Sequence, residues 1–367
     1  MPTYTQTRTG FRSILIDYDP DDYNSASVQS RLEDFYRKLV RNREGSDFLD
    51  PEKLWFDDLS DDDIPFAVTQ KIERRVKRYQ LRRKKLAGVS HLRAEDRETL
   101  KSVLPSVTAS FIDEAGADYL ASALHDRYPW MSYATEHVWL ELRQSARAGT
   151  PACVSPVLLD GPPGIGKSAW ARSLATYLRS PFALIDASAS NSGFAVSGTE
   201  KGFGSAQSGR PVELLMQHGH ANSVIVVDEI DKAGIVKTTG GVTMSINQTL
   251  LGLLEPVSAS RWECPFYRVP FDLSPITWVL TSNRLASVPE PLRTRCTVVK
   301  CSGLSIDHML LVGGRLCDDA GLSVAARDAS LEAIQRLSDT LRRPADLRDV
   351  RRVINRAQAL ETRPIMH

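Results

Sequence analysis

The stretch Gly161-Pro162-Pro163-Gly164-Ile165-Gly166-Lys167-Ser168 decides how this chain is read. It has the pattern G-x-x-x-x-G-K-S, in which glycine backbone N–H groups turn inward on a polyphosphate. Lys167 supplies a mobile charge for the β- and γ-phosphates, and Ser168 offers a hydroxyl to Mg²⁺. Val157-Leu158-Leu159-Asp160 before it reads as a short buried strand, and Ala169 to Leu178 after it carries apolar residues at helical spacing. A helix N-terminus at the glycine loop adds positive potential for phosphate. That context sets the motif apart from a chance run of glycines. Residues 161–168 together with Ala169 are the nucleotide-contact candidates.

Downstream, Ser223-Val224-Ile225-Val226-Val227-Asp228-Glu229-Ile230-Asp231 is an apolar strand ending in acids. Such an ending is common by itself, but paired with the glycine loop it points to nucleoside triphosphate hydrolysis. Asp228 is expected to hold Mg²⁺, directly or through water, and Glu229 to polarise the water that attacks the γ-phosphate.

The 367 residues allow two or three domains. Hydrophobic content of 42% and charged content of 25% are those of an ordinary globular protein. The net charge of +1 gives no general attraction to nucleic acid or membrane. There is no apolar run of transmembrane length and no signal-peptide core at the N-terminus, so a cytoplasmic protein is expected. Five scattered cysteines without a C-x-x-C pair read as reduced thiols rather than a zinc site.

Residues 1–30 read as a solvated tail. An amphipathic helix is expected over 28–43, and a basic helix from Pro65 to about Ala87. The basic helix carries Lys71, Arg74, Arg75, Lys77, Arg78, Arg82, Arg83, Lys84 and Lys85 against Glu73. It could lie on nucleic acid, but aromatic interleaving is thin and net charge is near zero. Packing on the acidic patch of Asp57, Asp58, Asp61, Asp62 and Asp63 or an ordinary solvated face is favoured. Gly88 and Pro105 bracket a further helical stretch.

From Leu120 the pattern changes. Five apolar strands are expected at 157–160, 182–186, 224–228, 276–281 and 297–300, with helical segments between them. Strands alternating with helices mean an α/β fold with a parallel sheet covered on both faces, binding ligands at the carboxyl ends of its strands. After Gly303 three helices are expected, at 309–320, 325–341 and 344–360. The division is a mostly helical N-terminal region (1–115), an α/β nucleotide-binding core (116–302) and a small all-α lid (303–367).

Residues from about 120 to 360 resemble the AAA+ ATPase module of Lon-type ATP-dependent proteases. The glycine loop, Asp228-Glu229-Ile230-Asp231-Lys232, Leu253-Leu254-Glu255-Pro256 and the run Tyr267 to Ser274 carry the likeness. It continues through Thr281-Ser282-Asn283 and Val288 to Arg295. The resemblance implies an ATP- and Mg²⁺-dependent ATPase working as a homo-oligomeric ring, a hexamer, on a protein substrate. It gives Asn283 the role of sensor 1, orienting the attacking water. Arg295 becomes the arginine finger reaching the neighbouring subunit's γ-phosphate. Tyr128, with Pro129 and Trp130, stands where the family wraps adenine, and a packed aromatic turn is the alternative there. Phe203-Gly204 is the better match to the substrate-gripping pore loop, Phe194 the second.

Three departures from the family accompany this. The chain ends at His367 where a Lon protease continues into a peptidase domain with a serine–lysine dyad, so no protease activity is expected. Residues 1–115 do not look like the Lon substrate-recruiting domain. Ala345 stands where the sensor 2 arginine belongs, which leaves Arg343 or Arg348 as substitutes, or no sensor 2 at all. A motor or loader acting on nucleic acid through the basic helix is the alternative to protein remodelling.

Overall fold

Buried-strand composition at five places builds the sheet that organises the molecule. Strand β1 (Thr5–Thr9) is followed by helices α1 (Ser25–Arg43), α2 (Phe66–Leu86) and α3 (Ala94–Val103). Then come β2 (Thr108–Ile112), α4 (Glu114–Arg127), α5 (Ser132–Ala148), β3 (Val157–Asp160), α6 (Lys167–Leu178) and β4 (Phe182–Asp186). Next are α7 (Ser192–Ser197), α8 (Arg210–His218), β5 (Val224–Asp228), α9 (Ile246–Leu253) and α10 (Pro256–Ala259). The strands β6 (Trp262–Glu263), β7 (Pro270–Phe271) and β8 (Thr277–Ser282) lead to α11 (Glu290–Arg293) and β9 (Thr297–Lys300). Helices α12 (Ile306–Asp319), α13 (Val324–Gln335) and α14 (Leu347–Glu361) end the chain. The computed structural model describes residues 5–9, 25–43, 64–86, 91–103, 107–189, 192–201, 206–233, 245–337, 341 and 343–362.

The described residues fall into two compact units, one within 15–102 and the other combining the strand at 5–9 with residues from 103 onward. In the first, α1 packs on α2, which buries Ile72 and Val76 and leaves Lys71, Arg74, Arg75, Lys77 and Arg78 exposed.

In the second unit the five expected strands form one parallel sheet in the order β4-β5-β8-β3-β9. The central strands β5 and β8 are buried along nearly their whole length, as a sheet covered on both faces requires. Helices α4, α5 and α6 and the turn Pro129–Met131 close one face with Leu120, Trp130, Leu142, Trp170 and Leu174. The chain leaves β3 for the distant β4, while β8 and β9 return to flank β3. That topology opens a crevice above the carboxyl end of β3.

The three C-terminal helices bury Met309, Cys317, Ile334, Val350 and Ile354 against one another. Gly313 permits their close approach, since a Cβ there would lie 2.4 Å from Ile334 Cδ1. The last helix starts at Leu347, capped by Asp346, which accepts from Arg348 and Asp349 N–H.

One expectation is corrected. The N-terminal stretch read as a solvated tail contributes β1, which pairs antiparallel with β2 from Thr5↔Ile112 to Thr9↔Thr108. β2 is anchored to the core by Asn222, whose side chain accepts from Ser110 N–H and donates to the carbonyls of Ser110 and Ala152.

Candidate active site

The glycine loop leaves β3 and enters α6. Gly164 (φ +76°) and Gly166 (φ +92°) occupy the left-handed region that other residues rarely adopt. A Cβ at Gly161 would lie 2.6 Å from the carbonyl of Cys301, so glycine alone fits beside β9. Lys167 opens α6 and turns its Nζ back over the loop. There it donates to the carbonyls of Gly161 (2.7 Å) and Pro162 (2.9 Å) and to Asn283 Oδ1 (2.9 Å). Burial pushes the Lys167 amine below its ordinary value, while nearby carboxylates, among them Asp228, Asp160 and Asp231, oppose that shift.

The adjacent strand ends bring in the acids. Ser168 Oγ donates to Asp228 Oδ2 at 3.1 Å. Thr281, near the end of β8, donates to the other oxygen, Asp228 Oδ1, and its hydroxyl accepts from Glu229 N–H at 3.1 Å. Glu229 itself is left-handed (φ 55°, ψ 44°), one of three non-glycine residues so placed among those described. Such a conformation persists only where the surroundings enforce it. Its carboxylate pairs with Lys232 Nζ at 2.7 Å, and that bond raises the Lys232 pKa. Asn283 N–H donates to Asp231 Oδ1 at 3.3 Å. The hydroxyl and carboxylate of Ser168 and Asp228 are an oxygen-only donor pair. They suit a hard cation that completes its shell with phosphate and water.

Above these groups lies a cavity of about 830 Å³ between the sheet end and the C-terminal helices. Its floor is the loop 163–169 with Asp228, Glu229 and Asn283, and its roof includes Arg315, Arg348, Arg351, Arg352 and Asn355. The roof touches the loop directly: Leu347 N–H donates to Gly164 O at 3.1 Å. Arg315 donates to the backbone carbonyls of Asp126 and Arg127 at the C-terminus of α4, where a cation suits the helix dipole.

A family model described as "ATPase family associated with various cellular activities (AAA)" matches residues 157–304. Residues 157–304 thus match an AAA ATPase domain. Its relatives include the "Lon protease homolog, mitochondrial" of Yarrowia lipolytica, 30% identical over 54% of this chain and 17% of the relative. The "Lon protease" of Desulfovibrio desulfuricans is 32% identical over 45% of this chain and 18% of its own length. The "Lon protease homolog 2, peroxisomal" of Pichia angusta is 31% identical over 54% and 21%. The chain thus spans about a fifth of the length of these relatives.

The remaining expected site residues take varied places around the AAA domain. Tyr128 is 8% exposed and edges the cavity. Its hydroxyl donates to Ala169 O (3.2 Å) and bonds Ser173 Oγ (3.0 Å). Trp130 donates from Nε1 to Ile165 O at 2.8 Å and lies against the His308 ring at 5.3 Å. Tyr128 thus braces the start of α6 and Trp130 the glycine loop, contacts that the sequence motif did not reveal. Arg295 lies outside the cavity lining. It pairs with Glu255 at 3.5 Å and donates to Pro291 O at 3.0 Å.

Phe203 and Gly204 lie outside the described residues. The residues flanking them are bridged at Gly198↔Ser208 and by Thr199 N–H to Gln207 O at 2.9 Å. Phe194 is half-buried in α7. Arg343 is spent on Asp349 at 2.8 Å, whereas Arg348 and Arg351 line the cavity. The five cysteines are free; burial pushes the thiols of Cys153 and Cys301 up to about 11 and that of Cys296 to about 12, which disfavours thiolate chemistry.

Proposed function

We propose that this protein hydrolyses ATP at the interfaces of a homo-oligomeric ring, a hexamer, and spends the cycle on remodelling or unfolding a protein substrate. The observation that carries the ATPase reading is the meeting of Lys167, Ser168, Asp228 and Asn283 at three neighbouring strand ends. In this reading residues 161–169 cradle the phosphates and Lys167 leaves its loop carbonyls for the β- and γ-oxygens. Ser168 and Asp228 would hold the Mg²⁺ that neutralises charge developing on those oxygens. Glu229 takes the proton of the attacking water and Asn283 orients that water. Arg348 and Arg351 bring the lid charge that Ala345 cannot.

Arg295 acts in trans. Its position outside its own chain's cavity supports that role. Phe203-Gly204, or else Phe194, would grip an extended polypeptide, and Tyr128 would border the adenine. The division in this reading is an N-terminal region (1–115), a nucleotide-binding core (116–302) and a helical lid (303–367). No described helix is long and apolar enough to cross a membrane, and we place the work in the cytoplasm. Proteolysis is not part of the proposal.

The test is ATPase rate per subunit against protein concentration, with mass photometry on the same samples. The rate should climb as hexamers form, and Arg295→Ala should lower it by about 10³–10⁵-fold. A flat rate from monomers, indifferent to Arg295, would sink the ring mechanism.

A second reading rests on the exposed basic residues of α2 and makes nucleic acid the partner. It requires polynucleotide to stimulate hydrolysis, with a salt dependence set by displaced counterions.

A further inference from the structure

We infer that Thr281 is a positioning residue for hydrolysis, its one hydroxyl fixing both the carboxylate of Asp228 and the left-handed backbone that aims Glu229. This rests on the ATPase reading above. Thr281 is 1% exposed, two residues before Asn283 on the most deeply buried strand of the sheet. A threonine hydroxyl has one proton to donate and lone pairs to accept with. Here the proton goes to Asp228 Oδ1, and a lone pair takes the Glu229 N–H at 3.1 Å.

The consequences differ for the two acids. Asp228 receives a second hydroxyl, from Ser168, on its other oxygen, so rotating the carboxylate would break bonds on both sides at once. That fixes the plane in which it can meet a cation, as outer hydrogen bonds do for metal-ligating carboxylates. Glu229 sits in backbone geometry that a glutamate seldom adopts, with ψ at 44°. The hydrogen bond that its N–H donates to Thr281 Oγ1 is one of the contacts that hold it there, and the direction of its carboxylate follows from that backbone. Valine at 281 would preserve shape and strand preference while leaving Asp228 Oδ1 and Glu229 N–H without this partner.

The test compares Thr281→Val with Thr281→Ser. Thr281→Val should lower kcat by about 10–100-fold. It should also erase the tightening that Mg²⁺ gives to a fluorescent ATP derivative, with affinity in EDTA kept within about twofold of wild type. Thr281→Ser keeps the hydroxyl and should restore both readouts to within about threefold. A purely packing role predicts the opposite ranking, with Thr281→Ser impaired and the Mg²⁺ effect intact in Thr281→Val. If Thr281→Val does not fold, Thr281→Ala against Thr281→Ser gives the same contrast. Wild-type hydrolysis matched by the hydroxyl-free variant overturns the role of Thr281 alone. A wild type that neither binds nor hydrolyses ATP overturns the ATPase reading, and the role of Thr281 with it.

Discussion

The floor and the roof of the cavity are built on different principles. On the floor, Lys167, Asp228 and Thr281 project from strand ends and a helix start that the sheet holds in register, and each is bonded to a neighbouring strand end or loop. On the roof, Arg348, Arg351 and Arg352 project from a single exposed helix face above a small core of five buried residues. Among the described residues of that face only Arg352 has a carboxylate partner, Asp349 at 2.9 Å. The difference teaches that the floor is pre-organised for chemistry, whereas the roof supplies charge whose placement depends on how the lid sits.

Within the cavity, the largest contrast should come from Glu229→Gln. Removing the base while keeping the shape should lower kcat by about 10²–10⁴-fold. ATP should still bind, because the amide leaves Lys167, Ser168 and the glycine loop untouched. Single-turnover hydrolysis and equilibrium binding on the same preparation separate the two. Lost binding in Glu229→Gln would mean that the floor is one structural network rather than a site with divided roles.

The roof should answer differently. Arg348→Ala and Arg351→Ala each remove a cation that can make a charge-assisted bond to phosphate. Both arginines are exposed, so the effect should be about tenfold in nucleotide affinity, near the lower end for such bonds. Neither should change the rate of the bound complex as Glu229→Gln does. If either abolished turnover at saturating ATP, the roof would belong to the chemistry and the comparison would fail.

The same contrast explains what could be read in advance. The floor was legible because the glycine loop and the acid-ended strand fix both residue identity and position, and all five parallel strands appeared as apolar runs. Thr281 belongs to a family motif that gives it no role. A threonine inside an apolar strand reads as a β-branched strand former, and only the sheet order puts its hydroxyl between Asp228 and Glu229. Trp130 has a place in the aromatic turn, but its bond to Ile165 O joins distant segments and cannot be read from the sequence. On the roof, Arg351 was missed because helix phase matters. Once the helix starts at Leu347, position 351 falls one turn above 348, on the cavity side. The strand Thr5–Thr9 has no apolar face to announce it, and its partner lies far along the chain.

The smallest expected effect tests whether the floor's rule, buried polar groups held by matched partners, extends to the anchor of β2. His220 is 8% exposed and bonds Thr108 Oγ1 through Nδ1 at 3.0 Å and Ser110 Oγ through Nε2 at 3.1 Å. Both hydroxyls can serve either protonation state of the ring. Burial is therefore what lowers the His220 pKa from 6.5, with a smaller contribution from His218. The unfolded chain then takes up the proton before the folded one does. Stability from this group is complete above the ordinary histidine value and is lost as pH falls through it toward the folded value. As pH falls below the ordinary histidine value the wild type should lose stability with a slope of at most about 1.4 kcal/mol per pH unit from this site. His220→Gln should flatten that slope in urea titrations at each pH. An unchanged slope would show that the acid sensitivity lies elsewhere, and that the β2 anchor, unlike the floor, tolerates a buried charge.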